Sequence, residues 1–275
     1  MTKTGAPLSP VRWPAEAIWE AVVPTLPGFS VEVLPELDST NSELMRRARA
    51  GQPDPVLLVA EQQIAGRGRM GRQWHSGMQA ANQRAQALTF SLGLNLAPAD
   101  WSGLSLAVGL SVAQSLHPDI RLKWPNDLWW HDRKLAGILI ETANWGAASA
   151  SRYVVIGVGI NLATPDASGL STAPVGLREL LPEVDAAQAL LRIAAPLVQT
   201  VQCFEAHGFA PFQQAFNARD ALVQVPVTLS DGLQGMAQGV DASGALLVAG
   251  TQGVQRITSA EVSVRAQPGP RYENL

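Results

Sequence analysis

Two stretches of the chain are apolar without interruption over the length of a strand. Val56-Leu57-Leu58-Val59-Ala60 and residues 154–159 read as strands buried on both faces. Between them, Leu88, Phe90 and Leu92 alternate with Thr89 and Ser91, which predicts a strand with one apolar face. Helical spacing governs residues 15–23, closed by Pro24, and residues 98–116, with Leu106, Leu110 and Ala113 on one side. A longer helical pattern covers 184–219, where Leu190, Leu191, Ile193, Leu197, Val198, Val201 and Phe204 form the core stripe. Pro196 is expected to kink or divide it. Thr40-Asn41-Ser42-Glu43 reads as a capping box opening a helix over 42–50, which Gly51 stops. Further strands are expected at 29–34, 55–61 and 120–124. Leu128-Trp129-Trp130 and residues 135–142 predict a hairpin joined by His131-Asp132-Arg133.

Beyond Asp220 the pattern changes to short strands punctuated by glycine, at 223–229, 236–240, 245–249, 254–258 and 262–265. Five short strands in so few residues predict a small SH3-like barrel. The expected division is therefore a larger α+β unit over 1–220, a small β unit over 221–266 and a mobile tail over 267–275 containing Pro268-Gly269-Pro270.

Composition narrows the class. With 275 residues, 47% hydrophobic and 16% charged, the chain can bury a large core and is not of disordered composition. No apolar run approaches the roughly 20 residues that span a bilayer, and the first residues lack a secretory signal pattern. The single cysteine, Cys203, lies in an apolar helical pattern and suits packing in a reducing cytoplasm. A net charge of −3 gives no global attraction to nucleic acid, and the four histidines lack metal-ligand spacing. Arg46, Arg47 and Arg49 fall where cations offset the negative end of a helix.

Chemistry concentrates in Gly66-Arg67-Gly68-Arg69-Met70-Gly71-Arg72-Gln73-Trp74, directly after a strand. Glycines let the backbone approach a ligand, and guanidinium groups grip phosphate or carboxylate oxygens in pairs. The plain alternatives are a solvated basic loop or an Arg/Gly segment touching RNA. An RNA-binding module would interleave aromatics with its basic run, and only Trp74 is near. Three other stretches stand out: Asp38-Ser39-Thr40-Asn41, Lys123-Trp124-Pro125-Asn126-Asp127 with Lys134-Leu135-Ala136-Gly137 and on to Glu141, and Gly157-Val158-Gly159-Ile160-Asn161. Read from the residues alone, Ser39, Thr40 and Asn41 are helix caps, and Trp124, Trp129 and Trp130 are packing residues.

In this order and spacing the four stretches resemble the biotin protein ligases, densely over residues 34–161 and more loosely to 265. The resemblance implies a mixed-sheet biotin/lipoate ligase-like catalytic domain followed by the SH3-like barrel. It implies biotin–[acetyl-CoA-carboxylase] ligase activity: ATP and biotin form biotinyl-5′-AMP, and the biotinyl group passes to a lysine of a biotin carboxyl carrier protein domain. On the family's pattern Ser39, Thr40, Asn41, Gln62, Arg67, Gly68, Arg69, Lys134 and Gly137 lie at biotin. Arg69, Arg72, Trp74, Lys123, Asn126, Asp127, Asn161 and Arg265 lie at ATP or the adenylate. Lys134 and Arg69 carry the chemistry, and Asp127 is the candidate contact for Mg²⁺. Repressing relatives place a DNA-binding domain ahead of this region; with Ser39 already at position 39, a ligase without DNA binding is expected. No membrane partner is expected, and a homodimer stays open. The family continues after Trp74 with Ser-Pro-x-Gly, whereas residues 75–87 lack the proline and are longer, so no role is carried onto them. A lipoate or octanoyl transferase shares the fold, but the Gly-Arg-Gly-Arg and Lys-Trp-Pro-Asn-Asp stretches favour biotin.

Overall fold

In the computed structural model, which describes residues 11–74, 85–144, 151–170, 172–258 and 264–266, the apolar runs lie inside a seven-stranded mixed sheet. Its strands are β1 (Ser30–Leu37), β2 (Val56–Gln63), β3 (Ala87–Leu96), β4 (Arg121–Lys123), β5 (Asp127–Trp130), β6 (Arg133–Asn144) and β7 (Arg152–Asn161). They follow the order β1-β2-β3-β7-β6-β5-β4, with β1 and β2 parallel and the other neighbours antiparallel. The register pairs Ala87 with Asn161 and Gly137 with Gly159, bringing the start of β3, the start of β6 and the end of β7 to one end of the sheet. The β5–β6 turn is two residues, His131 and Asp132, both at positive φ, as a tight hairpin requires.

One helix lies on one face and three on the other. α2 (Thr40–Arg49) packs Leu44, Met45 and Ala48 on Val56, Leu58, Tyr153 and Val155. α1 (Ala15–Val22), α3 (Leu104–Leu116) and α4 (Ala186–His207) cover the opposite face, where Phe90, Leu92, Ile138, Ile156 and Leu197 belong to a larger core. α5 (Gln213–Arg219) follows a short helical turn at Ala210–Phe212.

Several local expectations need correction. α2 is capped by Ser39, whose hydroxyl accepts from the Ser42 N–H at 3.5 Å, so Thr40 is already inside the helix. Glu43, expected to close the capping box, instead accepts from Arg46 and Arg47. Those arginines also reach back to Asp38 and Glu32, rather than merely offsetting the helix end. α3 starts at Leu104, because Asp100 turns the chain by accepting from the Ser102 N–H and Gly103 then adopts φ +82°. α4 runs through Pro196 and ends at Gly208, with φ +65°. A proline inside a helix costs about 3 kcal/mol. Burial of Leu197, Val198, Val201 and Phe204 beyond it contributes roughly 1.5–3 kcal/mol each and outweighs that cost.

The C-terminal strands are β8 (Pro226–Leu229), β9 (Gln234–Val240), β10 (Leu246–Gly250), β11 (Gly253–Ile257) and β12 (Val264–Ala266). They form an antiparallel sheet in the order β11-β10-β9-β8-β12. Among the described residues β11 and β12 are not paired, so the expected barrel is an open five-stranded sheet. This sheet is fastened to the larger one. The Trp124 indole donates to the Gly244 carbonyl at 3.1 Å, and Asn217 exchanges hydrogen bonds with Val240. Val227, Leu229, Ala237, Val240 and Leu246 join the same core as the large sheet. The tail after Ala266 and most of the 75–87 insertion lie outside the described residues.

Candidate active site

The sheet end assembled by β2, β3, β6 and β7 opens into a cavity of about 610 Å³. Its wall includes the start of α2, the arginine loop, the turn at Pro125 and Asn126, part of the 165–174 segment, and Val264 from the C-terminal sheet.

At the start of α2 the polar side chains form a closed hydrogen-bond set. The Thr40 N–H donates to Gln63 Oε1 at 2.8 Å, and Asn41 Nδ2 donates to the Leu139 carbonyl and to Glu141 Oε2. Those two acceptors fix the Asn41 amide orientation, so its Oδ1 can only accept, and the Ser91 hydroxyl 2.7 Å away must be its donor. Thr40 Oγ1 also lies 2.7 Å from Ser91 Oγ. Ser91 has spent its single proton on Asn41, so the one proton of the Thr40 hydroxyl is shared between Ser91 Oγ and Gln63 Oε1, which lies 3.1 Å away. Ser39, Thr40, Asn41 and Ser91 are all buried, which makes each of these bonds costly to leave unmade. Asn41 fits because Gly157 lies beneath it: a Cβ there would overlap the amide.

The arginine loop is a small hairpin. Gly68 N–H donates to Arg72 O, Trp74 N–H donates to Gly66 O, and Met70 and Gly71 turn the chain at positive φ. Three side chains pin it. Arg67 reaches Ser42 and Glu141, Arg69 donates to Asn126 Oδ1 at 2.9 Å, and the Trp74 ring lies on Gly159, where a Cβ would overlap it. Arg69 Nη2 is buried and has no hydrogen-bond partner among the described residues. Burial pulls the Arg69 pKa below the usual guanidinium value; Asp127 opposes this and the like charge of Arg72 adds to it. Arg72 itself is exposed.

Lys134 is the second residue of β6 and pairs with Asp127 at 2.7 Å. Its main chain is held on both sides: its N–H donates to Ala173 O, and its carbonyl accepts from Val175 N–H and from the buried Asn161 amide. Lys123 lies over the Trp129 ring, 4.8 Å from its centroid. One cavity therefore gathers a neutral polar end, five cations (Arg67, Arg69 and Arg72 of the loop, with Lys123 and Lys134) and the carboxylates of Asp127 and Asp166.

Most of the residues anticipated from sequence line this cavity: Ser39, Thr40, Asn41, Arg67, Gly68, Arg69, Arg72, Trp74, Lys123, Asn126, Asp127, Lys134, Gly137 and Asn161. Gln62 does not; its neighbour Gln63 does. The parallel ladder with β1 continues through Leu37 and Gln63, so β2 outlasts its apolar run and carries Gln63 to the start of α2. Arg265 sits in β12 opposite Thr228, and its side chain lies outside the described residues. Sequence reasoning assigned no individual role to Ser91, or to Glu141 and Gly157 within the stretches that stood out; their contacts appear only when α2 is laid over them. Among the described residues no three His, Cys, Asp or Glu side chains cluster to hold a metal.

Comparison with known proteins places this cavity in a family. Residues 33–161 match the biotin/lipoate A/B protein ligase family, and residues 223–265 match the biotin protein ligase C-terminal domain. The chain is 34% identical over 241 residues to the biotin–[acetyl-CoA-carboxylase] ligase of Paracoccus denitrificans, covering 84% of this chain and 98% of that protein. It belongs to the biotin protein ligase family. The bifunctional ligase/repressor BirA of Escherichia coli (strain K12) is 35% identical over 250 residues, with 88% of this chain and 76% of BirA covered. Among solved structures, the biotin protein ligase of Aquifex aeolicus in complex with biotin and ATP superposes with a TM-score of 0.71 at 26% identity, covering 86% of this chain and 99% of that one. Both matched regions of this biotin protein ligase family member contribute to the cavity, the second through Val264.

Proposed function

We propose that this chain is an ATP-dependent biotin ligase. It joins biotin to AMP as biotinyl-5′-AMP and then transfers the biotinyl group to a lysine of a biotin carboxyl carrier protein domain. The observation that carries this reading is the meeting, in one cavity, of the Thr40–Asn41–Gln63 polar cluster with Lys134, Arg69 and Arg72. A neutral ring that donates and accepts hydrogen bonds suits the first group, and a carboxylate beside a triphosphate suits the second. In the first half-reaction a biotin carboxylate oxygen attacks the α-phosphorus, and the bond to pyrophosphate breaks. Two anions must be held together, and cations aimed at the developing charge are the main means of doing so. Lys134 serves the carboxylate and α-phosphate, Arg69 and Arg72 serve the phosphates, and Lys123, Asn126, Asn161 and Arg265 serve the nucleotide. Holding the reacting atoms in line supplies on the order of 7–11 kcal/mol. In the second half-reaction the carrier lysine's amine attacks the acyl carbonyl, AMP leaves, and the amine gives up its proton.

Mg²⁺, if bound with the nucleotide, would supply positive charge to its phosphates. A single carboxylate fits such an ion, since Mg²⁺ commonly uses one or two carboxylates together with substrate phosphates. Asp127 is that residue, with its charge shared with Lys134. Trp74 over Gly159 helps to exclude water from the mixed anhydride. No helix among the described residues is long and apolar enough to cross a membrane. The test is ATP–pyrophosphate exchange: exchange that depends on biotin is expected, and exchange with lipoate or octanoate in its place would overturn the reading.

A further inference from the structure

We propose that Glu141 is a positioning residue that seats the arginine loop and ties its closure to the biotin side of the cavity; the proposal rests on the function just given. Its two carboxylate oxygens serve two different elements. Oε1 accepts from Arg67 Nη2 at 2.8 Å, and Oε2 accepts from Asn41 Nδ2 at 3.0 Å. Arg67 belongs to the loop and Asn41 to the first turn of α2, so one strand side chain holds both. Glu141 itself is outside the cavity wall, next to Leu139, whose carbonyl takes the other Asn41 N–H bond.

The three loop arginines are therefore not equivalent. Arg67 has its charge matched by Glu141 and its second nitrogen on Ser42, which makes it an anchor. Arg69, with a buried nitrogen still unpartnered among the described residues, and exposed Arg72 are the two cations left for phosphate. Asn41 completes the coupling. Its amide is locked by Glu141 and Leu139 on one side and by Ser91 on the other. Releasing Glu141 loosens Asn41 and frees the loop in one step.

Glutamine at 141 breaks this arrangement without changing its size. A carboxylate offers acceptors on both oxygens, whereas an amide offers one acceptor and turns a donor toward either Asn41 Nδ2 or Arg67. The test uses the full chain without substrate and follows tryptic cleavage after Arg72. A charged hydrogen bond of this kind stands for roughly a tenfold change, so Glu141→Gln and Arg67→Gln should each cleave about ten times faster than the parent. The double variant should cleave no faster than either single one. Equal cleavage in the parent and Glu141→Gln overturns the proposal, as do single effects that multiply in the double variant. If Glu141→Gln is cut throughout the chain, Arg67→Gln decides alone, since it removes the same tether from an exposed residue. In exchange assays Glu141→Gln should raise the KM of biotin and of ATP together; a rise for biotin alone overturns the coupling. The cleavage readout needs neither substrate, so its failure is separable from a parent chain that shows no biotin-dependent exchange.

Discussion

Lys134 and Asp220 are charged residues whose settings impose opposite consequences. Lys134 is partly open, salt-bridged to Asp127, and placed by main-chain bonds from the 173–175 segment. Replacing it with alanine should lower biotin-dependent exchange about 100- to 1000-fold, as removal of one preorganised charge stabiliser does, with little change in the denaturation midpoint. Near-normal exchange in Lys134→Ala would remove it from the chemistry. Asp220 is not part of the cavity wall, is 1% exposed, and leaves Oδ2 without a hydrogen-bond partner among the described residues. Burial raises its pKa from 3.8 to about 6, against the opposing Leu222 N–H bond and the Arg121 charge. The folded state therefore holds a proton that the unfolded chain has released between these values. This contribution is fully present below the lower value and is lost as pH rises through about 6. Asp220→Asn keeps an acceptor for Leu222 and removes the charge. It should stabilise the protein at pH 8 by about 1–3 kcal/mol and flatten the loss of stability across that window. Urea midpoints for both chains at pH 4 and pH 8 would show it, and identical pH profiles would count against it.

Glycines in β6 and β7 let other elements lie flat on the sheet end. Gly157 receives the Asn41 amide and Gly159 the Trp74 ring, while Gly137 stands beside Lys134. Gly159→Val should unseat the loop while leaving the strand paired, since the atoms nearest the added Cβ all belong to Trp74. Misplacement on that scale should lower exchange about 100-fold. Unaltered exchange, with an unaltered far-UV spectrum, would show that the Trp74 seat is not used. Like charge and backbone entropy oppose an ordered loop, and three tethers act against these costs: Arg67 to Glu141, Arg69 to Asn126 and Trp74 on Gly159. Fixing each residue costs roughly 1–2 kcal/mol of backbone entropy, so losing one tether shifts the balance strongly toward opening.

The C-terminal sheet is bound into the rest of the molecule rather than appended to it. Trp124, next to the Lys123 end of β4, donates to Gly244, and Gly244 lies against Gly103 at the start of α3. The same continuous core contains Val248 and Leu197. Removing residues 221–275 should therefore abolish exchange and cooperative unfolding together, because it uncovers buried apolar surface and deletes Val264 from the cavity wall. A truncated chain that unfolds cooperatively and retains full exchange would show a detachable module.

What the sequence determined alone is local. Apolar runs and alternation placed the strands of the large sheet, and the density of glycine and arginine marked the loop, because both signals lie within a few residues. Motif order was also enough to indicate the family, since four stretches in fixed succession leave few alternatives. The remaining decisions needed partners far apart in the chain. Gln62 and Gln63 are chemically identical neighbours, and only the β1 ladder decides which one reaches Thr40. Glu141 acquires meaning only when the sheet brings it to Asn41 and Arg67, 100 and 74 positions away. Pro196 was expected to kink or divide its helix because its local cost is visible in the sequence, while the core that keeps the helix continuous through it is not. Tertiary packing decided these points because hydrogen-bond partners and buried area are properties of proximity, which a sequence pattern does not record.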